Sequence, residues 1–443
     1  MLMLPPLFFS VRFPTLLAIF WCRYIRRQRA ESVPEKDVLS FIIFRLDALG
    51  DLILTTPIFR ALKGTYPKSR CTVVVRSEYK SLLVANPHID EILILPELKQ
   101  KWLPTRLQML FGAIALYWKQ LRHRQFDYAI SPRWDVDEYL ATFLCVLTHA
   151  AKRVGYSSQT SASKQLINRG FDAAYDICLP PGPVCHEVLR NLAVAERLGC
   201  AINDHGLQIE ITERDRRRAS QLLPELAANQ QLLALGIGAR SPGRRWPLAH
   251  YAEVANNLCE RKKCRVLIVC AAKEAAEARE LNALLRQPAT IISGVRLREV
   301  CALLERCDLF IGNDSGCAHL AAAMRCKTIV ISRHPQTGDP NHFNSPVRFA
   351  PPGPNVRVIQ PAFGKPGCAK ACTVPEPHCI ASVTVPEVLV AAQQLLIEQQ
   401  AYTPRPIKPW MTMASQKLLT THSPTAVQRV VETLRGSGER RPL

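Results

Sequence analysis

Short apolar runs and helix-length stretches alternate along most of this chain, and the alternation occurs twice. The first series runs through Phe41-Ile42-Ile43-Phe44, a helical pattern from Leu52 to Leu62, Cys71-Thr72-Val73-Val74-Val75, Glu91-Ile92-Leu93-Ile94-Leu95 and Phe126-Asp127-Tyr128-Ala129-Ile130. The second begins at Leu232-Leu233-Ala234-Leu235-Gly236. It continues through helix 247–262, strand Arg265 to Cys270, helix 274–286, strand Thr290-Ile291-Ile292, helix 297–306, strand Leu309-Phe310-Ile311, helix 317–325 and strand Thr328-Ile329-Val330-Ile331. Continuous apolar runs suit strands covered on both faces, and a helix between successive strands makes them parallel. The expected class is therefore α/β, with two open parallel sheets. Such sheets bind ligands beyond the carboxyl ends of their strands, so the loops that follow strands are where chemistry is sought.

A chain of 443 residues exceeds one ordinary core and fits two. After a helix His186 to Leu198, the linker is expected near Ile202 to Gln208. This divides the chain into an apolar, basic N-terminal segment (1–37), a first domain (38–205), a second domain (206–399) and a Pro-, Thr- and Arg-rich segment (400–443) read as a flexible tail.

Lys and Arg number 57 against 37 Asp and Glu, a formal charge of +20 that points to anionic partners. The excess is concentrated where the chain is also apolar. Residues 1–30 carry Arg12, Arg23, Arg26, Arg27 and Arg29 without an acid, and residues 99–124 carry Lys99, Lys101, Arg106, Lys119, Arg122 and Arg124 without one. In the second stretch, Leu103, Leu107, Leu110, Ile114, Trp118 and Leu121 recur at helical spacing, either to pack on the sheet or to meet a membrane surface. No nucleic-acid-binding signature accompanies these residues, so nucleic acid is not an expected partner. Arg12 interrupts the apolar run Met1 to Cys22, which favours peripheral attachment to the inner face of the cytoplasmic membrane over a span. The cysteines number 16 and stand mostly alone in apolar runs, such as Cys145, Cys264, Cys270 and Cys301, as buried thiols do in a reducing compartment.

Three loops carry the chemistry. Leu309-Phe310-Ile311-Gly312-Asn313-Asp314-Ser315-Gly316-Cys317-Ala318-His319 turns a buried strand through small polar residues into a helix. The free N–H groups near Ser315 and Gly316 make an anion site there, with His319 one turn inside. A helix cap followed by a packing histidine is the plainer alternative. Gly236-Ile237-Gly238-Ala239-Arg240-Ser241-Pro242-Gly243-Arg244-Arg245-Trp246-Pro247 offers glycines for close backbone approach and three arginines for phosphate oxygens. It is neither a Walker motif nor a dinucleotide fingerprint. Arg45-Leu46-Asp47-Ala48-Leu49-Gly50-Asp51 sets a carboxylate at the mouth of the first strand, where Asp51 is placed either to act as a general base or to cap its own helix. Arg133-Trp134-Asp135-Val136-Asp137 follows the strand at Ile130 and offers groups for acceptor hydroxyls, or ordinary surface charge. Cys368, Cys372, His378 and Cys379 form C-x3-C-x5-H-C, a set able to hold a structural Zn²⁺ or iron, although a neighbouring His and Cys seldom bind one ion together.

These loops together resemble glycosyltransferase family 9, the ADP-heptose:lipopolysaccharide heptosyltransferases. The resemblance rests on Arg45 to Asp51 with Thr55-Thr56-Pro57 and Leu62, on Arg244-Arg245-Trp246-Pro247 with Tyr251, and on Gly312 to Gly316 with His319-Leu320-Ala321, over about residues 38 to 395. It implies a GT-B fold of two Rossmann-like domains facing a central cleft, with the acceptor on the first domain and a nucleotide-sugar donor on the second. It also implies inversion at the anomeric carbon with no metal or other cofactor required. The family's base falls on Asp51, beside Gly50, and its phosphate-contacting basic residue falls on Arg244. Its donor loop falls on Asp314, Ser315, Gly316 and His319, with Arg240 and Ser241 nearby, and a nucleotide-contacting acid falls near Glu274. The expected activity is transfer of heptose from ADP-heptose to an anionic lipid-linked glycan such as a lipopolysaccharide core. The rivals are another sugar nucleotide serving a capsule or a protein, an epimerase or hydrolase on the same scaffold, and a noncatalytic membrane-bound scaffold.

Overall fold

The computed structural model describes residues 12–26, 38–98, 104–223, 230–261 and 263–397. The expected flexible tail (400–443), residues 99–103 of the second basic stretch and most of the N-terminal segment lie outside them. The chain divides into two compact units, Met1–Glu210 and Ile211–Leu443. The divide comes after Glu210, later than the sequence places it. Residues 206–208 stay with the first unit through Arg60 Nη2, which donates to the Gly206 carbonyl at 2.9 Å, and through the Gln208 N–H, which donates to Thr56 Oγ1 at 2.9 Å.

In the first unit the elements run α1 (Phe13–Arg26), β1 (Ser40–Phe44), α2 (Leu49–Thr65), β2 (Arg70–Arg76), α3 (Lys80–Leu83), β3 (Glu91–Leu95), α4 (Thr105–Leu116), β4 (Tyr128–Ser131), α5 (Ala141–Leu147), β5 (Lys152–Tyr156), α6 (Ala162–Ile167), β6 (Ile177–Leu179) and α7 (Glu187–Arg197). The second unit follows with α8 (Glu213–Leu222), β7 (Gln231–Gly236), α9 (Leu248–Arg261), β8 (Cys264–Cys270), α10 (Ala275–Leu284), β9 (Thr290–Ser293), α11 (Leu297–Leu304), β10 (Leu309–Asn313), α12 (Gly316–Ala323), β11 (Lys327–Ile331), α13 (Pro346–Phe349), β12 (Val356–Ile359) and α14 (Val385–Ile397). Strands β5, β6 and β12 were not legible as apolar runs. They are short or interrupted by Lys152, Arg153 and Arg357, because strands toward a sheet's margin need less apolar cover.

Each unit holds one sheet of six strands, ordered β3-β2-β1-β4-β5-β6 and β12-β11-β10-β7-β8-β9, and every recorded pairing is parallel. Numbered within its own unit, each sheet has the 3-2-1-4-5-6 order of a Rossmann domain. The second core gathers around Trp246 and Tyr251, while the first joins β1, β2 and β3 to α4 and α5.

A repeated device stitches the amino ends of the strands. Asp127, just before β4, accepts the Ser40 N–H of β1 at 2.8 Å, and Asp308, just before β10, accepts the Leu232 N–H of β7 at 2.7 Å. Asp90 and Asp176 do the same for Cys71 and Arg153. These carboxylates satisfy backbone donors that the ladder would otherwise leave unpaired.

Helix α4 continues as a π-helical turn over Tyr117–Leu121. Its inward face is Gly112, Ala113 and Leu116, small enough that a Cβ at 112 would stand 2.2 Å from the Pro96 carbonyl oxygen. Leu107 and Trp118, from the apolar stripe read as packing on the sheet or meeting a membrane surface, are exposed together with Phe111. Helix α1 packs on α5 through Thr15, Leu16 and Ile19, which leaves Phe13, Leu17 and Phe20 in solvent. Among the described residues no helix is long and apolar enough to cross a membrane.

Candidate functional site

In the first unit the chemistry gathers at the carboxyl ends of β1 and β4. Arg45 leaves β1 fully buried and turns back, placing Nε 3.3 Å from Asp47 and Nη2 3.5 Å from Asp51. Arg133, beyond β4, comes from the other side, with Nη1 at 3.3 Å from Asp47 and 3.5 Å from Asp51. Burial works against the Arg133 charge, but Asp47, Asp51, Asp135 and Glu187 outweigh it and raise the guanidinium pKa above its ordinary value. Two cations thus bracket two carboxylates, a balance that keeps charge in a poorly hydrated pocket. Asp51 caps the start of α2 from inside the helix, accepting the Ala48 N–H at 3.3 Å, and its carbonyl receives Thr55 Oγ1 at 2.8 Å. The cap fixes the Asp51 carboxylate at the carboxyl end of β1. Gly50 lies inside the first turn of α2.

The acceptor residues expected on the β4 loop separate. Arg133 joins the cluster around Asp51, and Asp135 is half-buried beside it. Asp137 is 3% exposed, and its carboxylate is taken by the N–H groups of Tyr139, Ala141 and Thr142 at 2.7 to 3.2 Å. It starts α5 instead of facing outward. Lys164, which nothing in its local sequence singles out, holds this loop by donating to the carbonyls of Arg133, Trp134 and Tyr156 at 3.0 to 3.2 Å. Burial pushes its ammonium pKa down to about 8.

In the second unit, loops after β7, β10 and β11 meet. Arg244 Nη2 donates to the Asp314 carbonyl at 2.8 Å and to its carboxylate at 3.0 Å. Asn313, fully buried, donates to the Ile237 carbonyl at 2.8 Å and accepts the Trp246 N–H at 2.8 Å, so one amide locks the loop after β7 onto β10. Ser315 is the N-cap of α12, yet its side chain makes no capping bond. The first N–H groups of that helix and its positive dipole end are therefore not consumed by a side-chain cap. His319 is buried one turn inside. Arg240 is exposed, and Ser241 precedes the short 3-10 turn Pro242–Arg244. Arg333, after β11, is a further cation at this place, its pKa lowered by burial and by Arg244. Its position at a strand's carboxyl end was the signal that could have found it.

The glycines after β7 stand where packing is close. A Cβ at Gly236 would stand 2.4 Å from the Phe310 ring, at Gly238 2.4 Å from the Glu274 carboxylate, and at Gly243 2.3 Å from the Val374 carbonyl oxygen. Glu274 is 5% exposed, caps its own turn by accepting the Ala271 N–H at 2.9 Å, and pairs with Arg245 at 3.4 Å. Far along the second unit, Cys368, Cys372, His378 and Cys379 bring their ligand atoms within 4.8 Å of one another.

Residues 114–354 match the family model described as glycosyltransferase family 9 (heptosyltransferase). The chain belongs to glycosyltransferase family 9. Within this family, the lipopolysaccharide core heptosyltransferase OpsX of Haemophilus influenzae is 26% identical over 340 residues, 74% of this chain and 88% of that protein. The lipopolysaccharide heptosyltransferase 3 of Escherichia coli is 27% identical over 64% of this chain and 78% of its own. Among solved structures, the glycosyl transferase family 9 protein of Veillonella parvula superimposes with a TM-score of 0.65 at 21% identity, covering 82% of this chain and 98% of that one. The E. coli ADP-heptose lps heptosyltransferase II follows at 0.59 and 19%, covering 81% and 98%. The fold of this family 9 member is GT-B, and the chain is a glycosyltransferase.

Proposed function

We propose that this glycosyltransferase moves heptose from ADP-heptose onto a lipid-linked core glycan of the lipopolysaccharide kind, with inversion at the anomeric carbon and without a catalytic metal. The observation that carries the reading is the uncapped start of α12 beside the Arg244–Asp314 pair, an anion site at the carboxyl end of β10 in a family 9 member. Its curated relatives bear lipopolysaccharide heptosyltransferase names, which supports the choice of sugar and acceptor.

In this reading the second unit holds the donor. The diphosphate accepts from the backbone N–H groups at Ser315 and Gly316, Arg244 and Arg240 offset its charge, Ser241 adds a hydroxyl, and His319 steadies the departing nucleotide. The first unit holds the acceptor. Asp51 takes the proton of the attacking hydroxyl as its oxygen bonds to the anomeric carbon, while the bond to the diphosphate breaks and its electron pair leaves on phosphate oxygen. Arg45 and Arg133 position the Asp51 carboxylate, and Asp135 faces acceptor hydroxyls. The enzyme works in the cytoplasm at the inner membrane surface. The exposed apolar residues of α1 and α4 support that position, because α1 and the π-helical turn that continues α4 both pack on α5, and Leu107, Phe111 and Trp118 lie beside Arg106, Lys119 and Arg122.

The test is transfer from ADP-heptose to a heptose-deficient lipid-linked acceptor, followed by mass spectrometry, for the wild type and for Asp51→Ala. A heptose-sized gain that disappears in the variant is expected. Intact donor with no gain would point to another sugar nucleotide. Donor loss without acceptor would overturn the transferase in favour of a hydrolase or epimerase.

A further inference from the structure

We propose that Cys368, Cys372, Cys379 and His378 form a structural Zn²⁺ site whose task is to hold residues 364–379 beneath the Arg244 loop. The three thiols are free and at most 3% exposed, and they lie in a cluster whose other apolar neighbour is Val374. His378 turns its Nδ1 toward all three, at 3.6 Å from Cys368 Sγ, 4.0 Å from Cys372 Sγ and 3.5 Å from Cys379 Sγ. A tetrahedral zinc with bonds of about 2.3 Å to sulfur and 2.0 Å to nitrogen sets sulfur–nitrogen edges of roughly 3.5 Å. The three sulfur–nitrogen separations thus stand at about the values that one ion imposes, and all four ligand atoms lie within 4.8 Å of one another. Ligation through Nδ1, the ring nitrogen nearer the backbone, lets the neighbouring His378 and Cys379 share one centre.

The backbone around the cluster has the form of a metal knuckle. Gly364 allows a turn so tight that a Cβ there would stand 2.2 Å from the Cys368 carbonyl oxygen. The Cys368 N–H closes that turn on the Lys365 carbonyl at 2.8 Å, and the Lys365 N–H points at Cys379 Sγ at 3.4 Å. An N–H directed at sulfur is the outer-shell contact that stabilises a metal-bound thiolate. Binding Zn²⁺ would release the three thiol protons and leave a tetrahedral Cys₃His centre without an open position, which suits a structural role. Tetrahedral, thiolate-rich ligation also selects zinc over the hard cations.

The knuckle presents its backbone to the anion site. The carbonyl oxygens of Val374, Pro375 and Glu376 lie so close to Gly243 that no side chain fits there, and the Val374 carbonyl accepts from Arg333 at 3.3 Å. One ion therefore braces the turn that carries Arg244 and the neighbouring Arg333. The zinc site stands on its own geometry; its effect on donor binding rests on the function proposed above.

The experiment is metal analysis of the tag-free, full-length protein purified without chelator, beside Cys372→Ser and His378→Gln, with Co²⁺ added to the metal-stripped wild type. One equivalent of zinc per chain is expected, reduced at least tenfold in Cys372→Ser, together with the absorption of tetrahedral thiolate-bound cobalt. Loss of the metal is expected to lower the melting midpoint and to weaken ADP binding. The wild-type zinc content and cobalt spectrum decide the matter even if Cys372→Ser does not fold. A folded wild type that carries no zinc and takes up no cobalt, a disulfide among the three cysteines, or stoichiometric iron in place of zinc would overturn the assignment. Zinc present in a protein that binds no ADP would leave the site standing and count against the donor reading alone.

Discussion

Arg244 and Asp314 are joined twice, through the carbonyl at 2.8 Å and the carboxylate at 3.0 Å, although 70 positions separate them in the chain. The pair ties the loop after β7 to the start of α12. Arg244→Ala is expected to raise the donor KM with little change in kcat. Hydrogen bonds to charged groups contribute about 1.5–3 kcal/mol, so kcat/KM should fall roughly 10- to 100-fold. Arg244→Lys should recover only part of this, because an ammonium cannot reproduce the forked contact. Steady-state kinetics over a range of donor concentrations checks both variants, and an unchanged KM in Arg244→Ala would remove Arg244 from the donor site.

In the proposed mechanism acceptor chemistry turns on Asp51. Asp51→Asn keeps an oxygen for the Ala48 N–H and removes the basic carboxylate, so the protein should fold normally while kcat drops by about 10²–10⁴. Calorimetric titration with ADP should give an affinity within about twofold of the wild type, within the spread that separates binding from chemistry. A variant that keeps its turnover would restrict Asp51 to capping.

Asn313 is the structural counterpart in the second unit. Asn313→Ala strands the Trp246 N–H and the Ile237 carbonyl in a fully buried place. Leaving two buried groups unpaired should destabilise the unit by roughly 2–5 kcal/mol. Urea denaturation followed by Trp fluorescence reads this directly, and a loss under about 1 kcal/mol would mean that the loops find other partners.

His334 sets a pH dependence. It is 2% exposed and stacked on His342, and burial followed by the His342 charge pushes its pKa down to about 4. The unfolded chain holds that proton up to about 6.5, so between these limits the unfolded state binds more protons and stability rises with pH. The contribution is complete above about 6.5 and is lost as pH falls through 4. The melting midpoint of the wild type relative to His334→Phe should therefore decline from pH 7 toward pH 4.5; parallel curves would contradict the assignment.

The exposed faces of α1 and α4 should seat the protein on lipid. Replacing Leu17 and Phe20 by Ser removes two exposed apolar side chains without touching the packed residues Thr15 and Ile19. Burying such side chains contributes about 1.5–3 kcal/mol each, so partition into vesicles containing anionic lipid should weaken at least tenfold. Equal co-sedimentation of both proteins with vesicles would rule this face out.

The two kinds of aspartate show where reading the chain succeeds and where it stops. Asp90, Asp127, Asp176 and Asp308 precede strands and cap backbone at the amino ends, whereas Asp47, Asp51 and Asp314 follow strands and stand among arginines. Position relative to an apolar run is local information, so the strand-end loops could be identified before any contact was known. Asp137 also follows a strand, yet it caps α5, because the chain turns into that helix within a few residues. The glycines after β7 were legible as places of close approach, but that Phe310, Glu274 and the knuckle carbonyls crowd them was not, because those neighbours come from distant parts of the chain.

The sequence by itself determined the α/β alternation, the doubled series of strands, the loops that end β1, β7 and β10, and the membership of residues such as Asp51, Arg244 and Ser315 in those loops, because each depends on a pattern within a few turns of chain. Only the tertiary structure decided which partners those residues have. Arg45 and Arg133 converge on Asp51 because β1 and β4 are neighbours in the sheet, Asn313 reaches two loops because β10 lies beside β7, and His378 faces three thiols because a tight glycine turn folds the chain back on itself. Those meetings are set by parallel crossovers and close packing, and interactions across such separations leave no periodic trace in the residues that make them.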